Sequence, residues 1–116
     1  MRHRVKGKKL DRKKEPREAM LKNLASSIII YEKIKTTEAK AKTVKPLLEK
    51  IITTSIKGDL ASRRKLISLL PQKMAVKKAM EILAVRYKER PGGYLRIVKI
   101  GKRLGDSADM VQIELV

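Results

Sequence analysis

Three sets of side chains in this 116-residue sequence have types that could carry chemistry: a lone histidine, two closely spaced aspartates and a large surplus of cations. His3 is the only histidine, and so the only side chain that ordinarily titrates near neutrality. It sits between Arg2 and Arg4, with no scaffold to aim it at a substrate, and reads as a solvated or RNA-contacting residue before a general base. Asp106 and Asp109 lie three apart in a Gly/Ser loop and could in principle share Mg²⁺. Carboxylates in such loops more often make turn and capping bonds. One His with no Cys leaves no zinc site, thiol nucleophile or disulfide framework. Phosphate-binding glycine motifs and a Ser–His pairing are also missing. The expectation is a protein that is not an enzyme and carries no metal or other cofactor.

The cations say more. Lys and Arg number 30 against 12 Asp and Glu, a formal charge of +18. Such self-repulsion opposes compaction unless a polyanion offsets it, which points to nucleic acid. The aromatic residues are Tyr31, Tyr87 and Tyr94 alone, too few for a platform that stacks single-stranded bases. Tyr87 also continues an apolar helical stripe, which suits a core position. No apolar run approaches the ~20 residues that span a bilayer. The first residues have charges but no apolar stretch behind them, so neither a signal peptide nor a membrane partner is expected, and the cytoplasm is the expected location.

The charge is uneven. Residues 1–14 carry Arg2, Arg4, Lys6, Lys8, Lys9, Arg12, Lys13 and Lys14 against the single acid Asp11, a net +7 that leaves +11 for the remaining 102 residues. Met1, Val5 and Leu10 are too little apolar material to order this stretch alone. It reads as an extended basic arm that threads between phosphates and orders on contact, followed by one domain over 15–116. Further cations recur along that domain: Arg17 and Lys22, Lys40 and Lys42, Arg63-Arg64-Lys65, Lys77-Lys78, Arg96 and Lys99, and Lys102-Arg103 in a Gly-flanked loop. Taken singly most would be solvated; together they suit a folded RNA approached from several sides.

The elements that must position these residues follow from periodicity. Pro16 and the acids Glu15 and Glu18 favour a helix start, and Met20, Leu21, Leu24, Ala25 and Ile28 form one stripe reaching about Ile30. Ile34 anchors a short strand before Thr37, which is placed to cap a second helix. Ala41, Val44, Leu48, Ile51, Ile52 and Ser55 keep one face across Pro46, which should kink or split that helix. Gly58 ends it. Asp59 caps a third helix with Leu60, Arg63, Leu66, Ile67 and Leu70 at helical spacing, ending at Pro71. Val76, Ala79, Met80, Leu83 and Tyr87 predict a fourth helix over about 73–88. Period-two patterns then predict strands over Tyr94–Ile100 and around Val111, Ile113 and Leu115, paired antiparallel. The expected fold is a two-layer α+β domain.

Blocks of residues also resemble a known family. Met1-Arg2-His3-Arg4, then Gly7, Leu10 and Arg12, is similar to the start of the bacterial large-subunit ribosomal protein seventeen family. The likeness continues through Arg17-x-Ala19-Met20-Leu21-x-Asn23-Leu24-Ala25-x-Ser27 and Glu32-x-Ile34-x-Thr36-Thr37, with Ala41-Lys42 following. It ends with Gly92-Gly93-Tyr94-x-Arg96-Ile97, Arg103-x-Gly105-Asp106-x-Ala108-x-Met110 and Ile113-Glu114-Leu115. The sequence departs from the family's usual residues at Pro16, Leu95, Ser107 (usually Asn) and Asp109 (usually Pro).

The resemblance implies the order α-β-α-α-α-β-β with a small three-stranded mixed sheet. It implies a structural component of the large (50S) subunit that binds 23S ribosomal RNA near the rim of the polypeptide exit tunnel, beside other ribosomal proteins. The arm residues Arg2, His3, Arg4, Lys6, Lys8, Lys9 and Arg12 would then be embedded in RNA. Two rivals stay open on residue chemistry alone: a free-standing, sequence-tolerant nucleic-acid binder such as an RNA chaperone, and a metal-dependent nuclease using Asp106 and Asp109.

Overall fold

The structure, a computed structural model, describes residues 14–116, with side chains from Pro16 onward. In chain order the elements are α1 (Lys14–Tyr31), β1 (Lys33–Thr37), α2 (Glu38–Lys57), α3 (Leu60–Leu69), α4 (73–86), β2 (Leu95–Lys102) and β3 (Asp109–Leu115). This is the expected α+β order. One correction concerns the sheet, which is antiparallel throughout and not mixed. Its strand order is β1-β3-β2, and β3 runs antiparallel to both neighbours. β1 and β2 do point the same way, but β3 lies between them, so no parallel ladder forms.

Alternation decides which side of the sheet is covered. Ile34 and Thr36 on β1, Val111, Ile113 and Leu115 on β3, and Leu95 and Ile97 on β2 share one face, which packs under the helices. α2 is the hub, packing against α1, α3, α4 and all three strands. Its six expected core positions, Ala41, Val44, Leu48, Ile51, Ile52 and Ser55, are all buried. Burying that stripe outweighs the cost of Pro46, which lies on the exposed side and deprives only the Lys42 carbonyl of its helical donor. α2 therefore runs through the proline unbroken.

The ends of α2 and the start of α3 follow from local chemistry. Gly58 ends α2 at φ +68°, the left-handed region a Cβ disfavours. Asp59 caps α3, its carboxylate accepting from the Ser62 N–H at 2.7 Å, and hydrogen bonding from the Ser62 side chain, then from this N–H, holds its pKa below the ordinary value. Thr37 occupies the capping position of α2, but its hydroxyl makes no capping bond.

The third and fourth helices differ from the periodic reading. α3 packs mainly against α2 and α4 and so needs just one narrow face, which Ser62, Leu66 and Leu70 supply with the half-buried Leu69. Leu60 and Ile67, expected on that face, are exposed. α4 contains a π turn over Ala79–Leu83, with the Ala84 N–H reaching back to the Ala79 carbonyl. The extra residue keeps Ala75, Val76, Ala79, Leu83 and Tyr87 buried along one side. Tyr87 and Tyr94 meet in the core with ring centroids 5.2 Å apart, and the Tyr87 hydroxyl donates to the Val116 carbonyl at 2.7 Å.

Candidate nucleic-acid interface

The β2–β3 hairpin carries three of the sequence-predicted cations at its far end. Lys99 pairs opposite Val111 and Lys102 opposite Asp109, with an irregularity between Lys99 and Gly101. In a regular strand two residues three apart point to opposite faces. The extra residue, Ile100, resets the alternation, so Lys99 and Lys102 project from the same, helix-facing side. Arg96 and Lys99, grouped together in the sequence, lie on opposite faces.

The turn beyond is tightly bonded. The Arg103 N–H donates to the Ala108 carbonyl at 2.8 Å, and the Ser107 N–H to the Arg103 carbonyl at 2.9 Å. Ser107 sits at φ +58°, a conformation Asn tolerates better than Ser, which gives this departure from the family pattern its local cost. The Arg103 guanidinium grips Asp106 with two bonds, at 2.9 and 2.6 Å, and the Ala108 N–H donates to the same carboxylate at 3.2 Å. These contacts, Arg103 first, push the Asp106 carboxyl down to about 2 and raise the Arg103 pKa. Leu104 stands fully exposed at the apex.

The same contacts bear on the metal reading. Asp106 is engaged by Arg103 and a backbone N–H, while Asp109 faces Lys102 at 3.8 Å. Among the described residues no three His, Asp or Glu side chains converge on a common point. Turn-making and cation-pairing are what these aspartates do here.

The uncovered face of the sheet holds a second group. Lys33 on β1, Glu114 on β3 and Arg96 on β2 lie in one row, with Lys35 beside Gln112 and Val98 in the next. Arg96 donates to Glu114 at 2.9 Å and remains largely exposed. Lys33 and Lys35 were not singled out from the sequence, although their alternation with Ile34 marks them as outward on a half-buried strand. Their nearness to Arg96 depends on β3 lying between β1 and β2, a strand order that periodicity does not contain.

The remaining predicted residues divide between α1 and the arm. Arg17 and Lys22 are half-buried along α1. Lys14 is the first residue of α1, so the arm proposed over 1–14 overlaps the helix by one residue. Arg2, His3, Arg4, Lys6, Lys8, Lys9, Arg12 and Lys13 lie outside the described residues. Of the three tyrosines only Tyr31 is exposed, so the surface offers no row of rings for bases. No described helix is long and apolar enough to cross a membrane.

The ion pairs at the tip and on the sheet are exposed, and such pairs contribute little in water. A phosphate group can therefore take the cations over at small cost. The arrangement suits charge-driven contact with a polyanion from more than one side.

Comparison with known proteins agrees with this chemistry. A family model described as ribosomal protein L17 matches residues 20–116. The large ribosomal subunit protein bL17 of Rickettsia typhi is 50% identical over 116 residues, covering all of this chain and 85% of that protein. That of a Hydrogenobaculum species is 50% identical over 117 residues, covering all of this chain and 99% of its own length. The Rickettsia bellii protein of the same name is 47% identical over 116 residues, covering 82% of its length. With a family model matching residues 20–116 and relatives 50% identical over the whole chain, the chain belongs to the ribosomal protein L17 family, a family of ribosomal proteins and not of enzymes.

Proposed function

We propose that this chain is a structural constituent of the bacterial large ribosomal subunit, in the cytoplasm, where it binds 23S ribosomal RNA near the rim of the polypeptide exit tunnel and so supports translation. Its neighbours there are other large-subunit ribosomal proteins. The observation that carries this reading is the full-length likeness to large-subunit proteins, together with the cation-bearing hairpin tip. In the proposed complex the arm over 1–14 runs between phosphates, while Lys99, Lys102 and Arg103 meet the backbone from a preformed turn. Arg96 engages it from the open sheet face with Lys33 and Lys35, and Arg17 and Lys22 from α1. Contacts of this kind fix position and orientation, and their affinity derives largely from released counterions.

Co-sedimentation tests the reading. The chain should remain with large subunits through a high-salt wash. Complete release at moderate salt, with most of the cellular protein free, would instead favour the free-standing RNA binder.

A further inference from the structure

A groove of about 440 Å³ runs between α3 and α4, apart from the hairpin tip. Its floor is aliphatic: Ile67, Leu70, Pro71 and Val76. Its rim is cationic, formed by Arg63, Lys73 and Lys77, none of which is ion-paired within the described residues. Leu60 and Met74, on the same two helices, add exposed apolar surface. The fold leaves this side bare because α3 turns its Ser62, Leu66, Leu69 and Leu70 side toward the core. An apolar strip with a charged border is the usual form of a protein-docking surface.

We propose that this groove docks an amphipathic helical segment of another protein, one that presents aliphatic residues to the floor and carboxylates to Arg63, Lys73 and Lys77. Helix-in-groove recognition reads anchors at i, i+3 or i+4, and i+7, which suits a cleft between two helices. RNA fits less well. The groove holds no aromatic ring for a base to stack on, and its floor has no polar group to read a base edge. A second copy of this chain fits less well too, since a two-fold contact would set each cationic rim against itself. The inference goes beyond RNA binding and stands or falls separately from it.

The test is an amide-resolved NMR titration of the full chain with a synthetic helical peptide bearing Leu at i, i+3 and i+7 and Glu at flanking positions. Shift changes confined to 60–77 are expected. Ile67→Ser should weaken binding about tenfold, the scale of one lost aliphatic anchor. Because Ile67 is 59% exposed, that variant should keep the parent thermal midpoint. Arg63→Glu, also at an exposed position, should weaken binding independently. A control peptide with Leu replaced by Ser should bind at least tenfold more weakly. Equal binding by that control, shifts spread over the hairpin tip, absence of binding, displacement of the peptide from the groove by a short RNA, or self-association through the groove would each overturn the proposal.

Discussion

The Glu32 carboxylate and the Arg86 guanidinium, 54 positions apart, form a two-pronged ion pair that ties the α1–β1 corner to the end of α4. Lys78 joins it, donating to Glu32 at 3.0 Å and to the Ile30 carbonyl at 2.9 Å, near the C-terminal end of α1. Glu32 itself sits at φ +66°, so the chain takes up a strained corner to place this side chain. Hydrogen bonds from Arg86, then Lys78, push the Glu32 carboxyl from 4.5 down to about 2. The same pair raises the Arg86 pKa. The anion thus aligns the helices on which the sheet is packed.

Glu32→Gln should therefore destabilise the domain. The Glu32 side chain is 39% exposed, so water screens part of the attraction and the expected loss is about 1–2 kcal/mol. A depressed carboxyl contributes stability that is fully present above its unfolded value of 4.5 and disappears as pH falls through about 2. Urea midpoints measured between those limits should fall less steeply in the Gln variant than in the parent. Parallel curves would show that Glu32 is not the group responsible.

At the hairpin tip, Asp106 has its folded pKa lowered to about 2, so the Arg103 clamp should be intact at neutral pH and open only as pH falls through about 2. The Ala108 amide donates to Asp106, so its NMR shift should follow that titration. In Asp106→Asn the acid transition of this amide should vanish while the thermal midpoint stays in place, since the tip is exposed and outside the core.

Much of this fold is readable before any coordinates. The α2 core face was complete because six residues at helical spacing face one direction, whatever the partner. The α3 face was not, because Leu60 and Ile67 fit the period yet have nothing above them; burial depends on what packs alongside. The π turn in α4 leaves no trace in a stripe that tolerates either spacing. At the candidate interface, Lys102 and Arg103 were visible from their Gly-flanked loop. The shared side of Lys99 and Lys102 was not, since it follows from a one-residue irregularity at Ile100. Lys33 and Lys35 were missed because their nearness to Arg96 comes from strand order, a long-range property.

The phosphate contacts proposed for the hairpin tip and the open sheet face can be counted. Lys99→Ala, Lys102→Ala and Arg96→Ala should each reduce the log–log salt slope of ribosomal RNA binding by slightly under one. Arg64→Ala, on exposed α3 and outside the proposed contacts, should leave the slope unchanged. Nitrocellulose-filter or anisotropy titrations across a salt series would resolve the difference. Equal slopes for all four would remove the hairpin and sheet from the interface.

Deletion of residues 1–13 should leave a cooperatively folding domain, because among the described residues the buried core runs from Ala25 to Leu115, with Leu21 and Leu24 packed against it. The same deletion should weaken ribosomal RNA binding and flatten its salt slope by several units, more than any single substitution in the domain. Loss of cooperative unfolding on truncation would give the segment a folding role. An unchanged slope would mean that it makes no phosphate contact.

The most direct test of ribosomal placement uses the absence of cysteine from the sequence. A Leu104→Cys variant places a single thiol at the fully exposed hairpin apex, where an iron chelate can be attached. After incorporation into large subunits, hydroxyl radicals generated there should cut 23S ribosomal RNA at a few clustered positions around the rim of the exit tunnel. Failure to incorporate, or cuts confined to RNA remote from that rim, would contradict the proposed function.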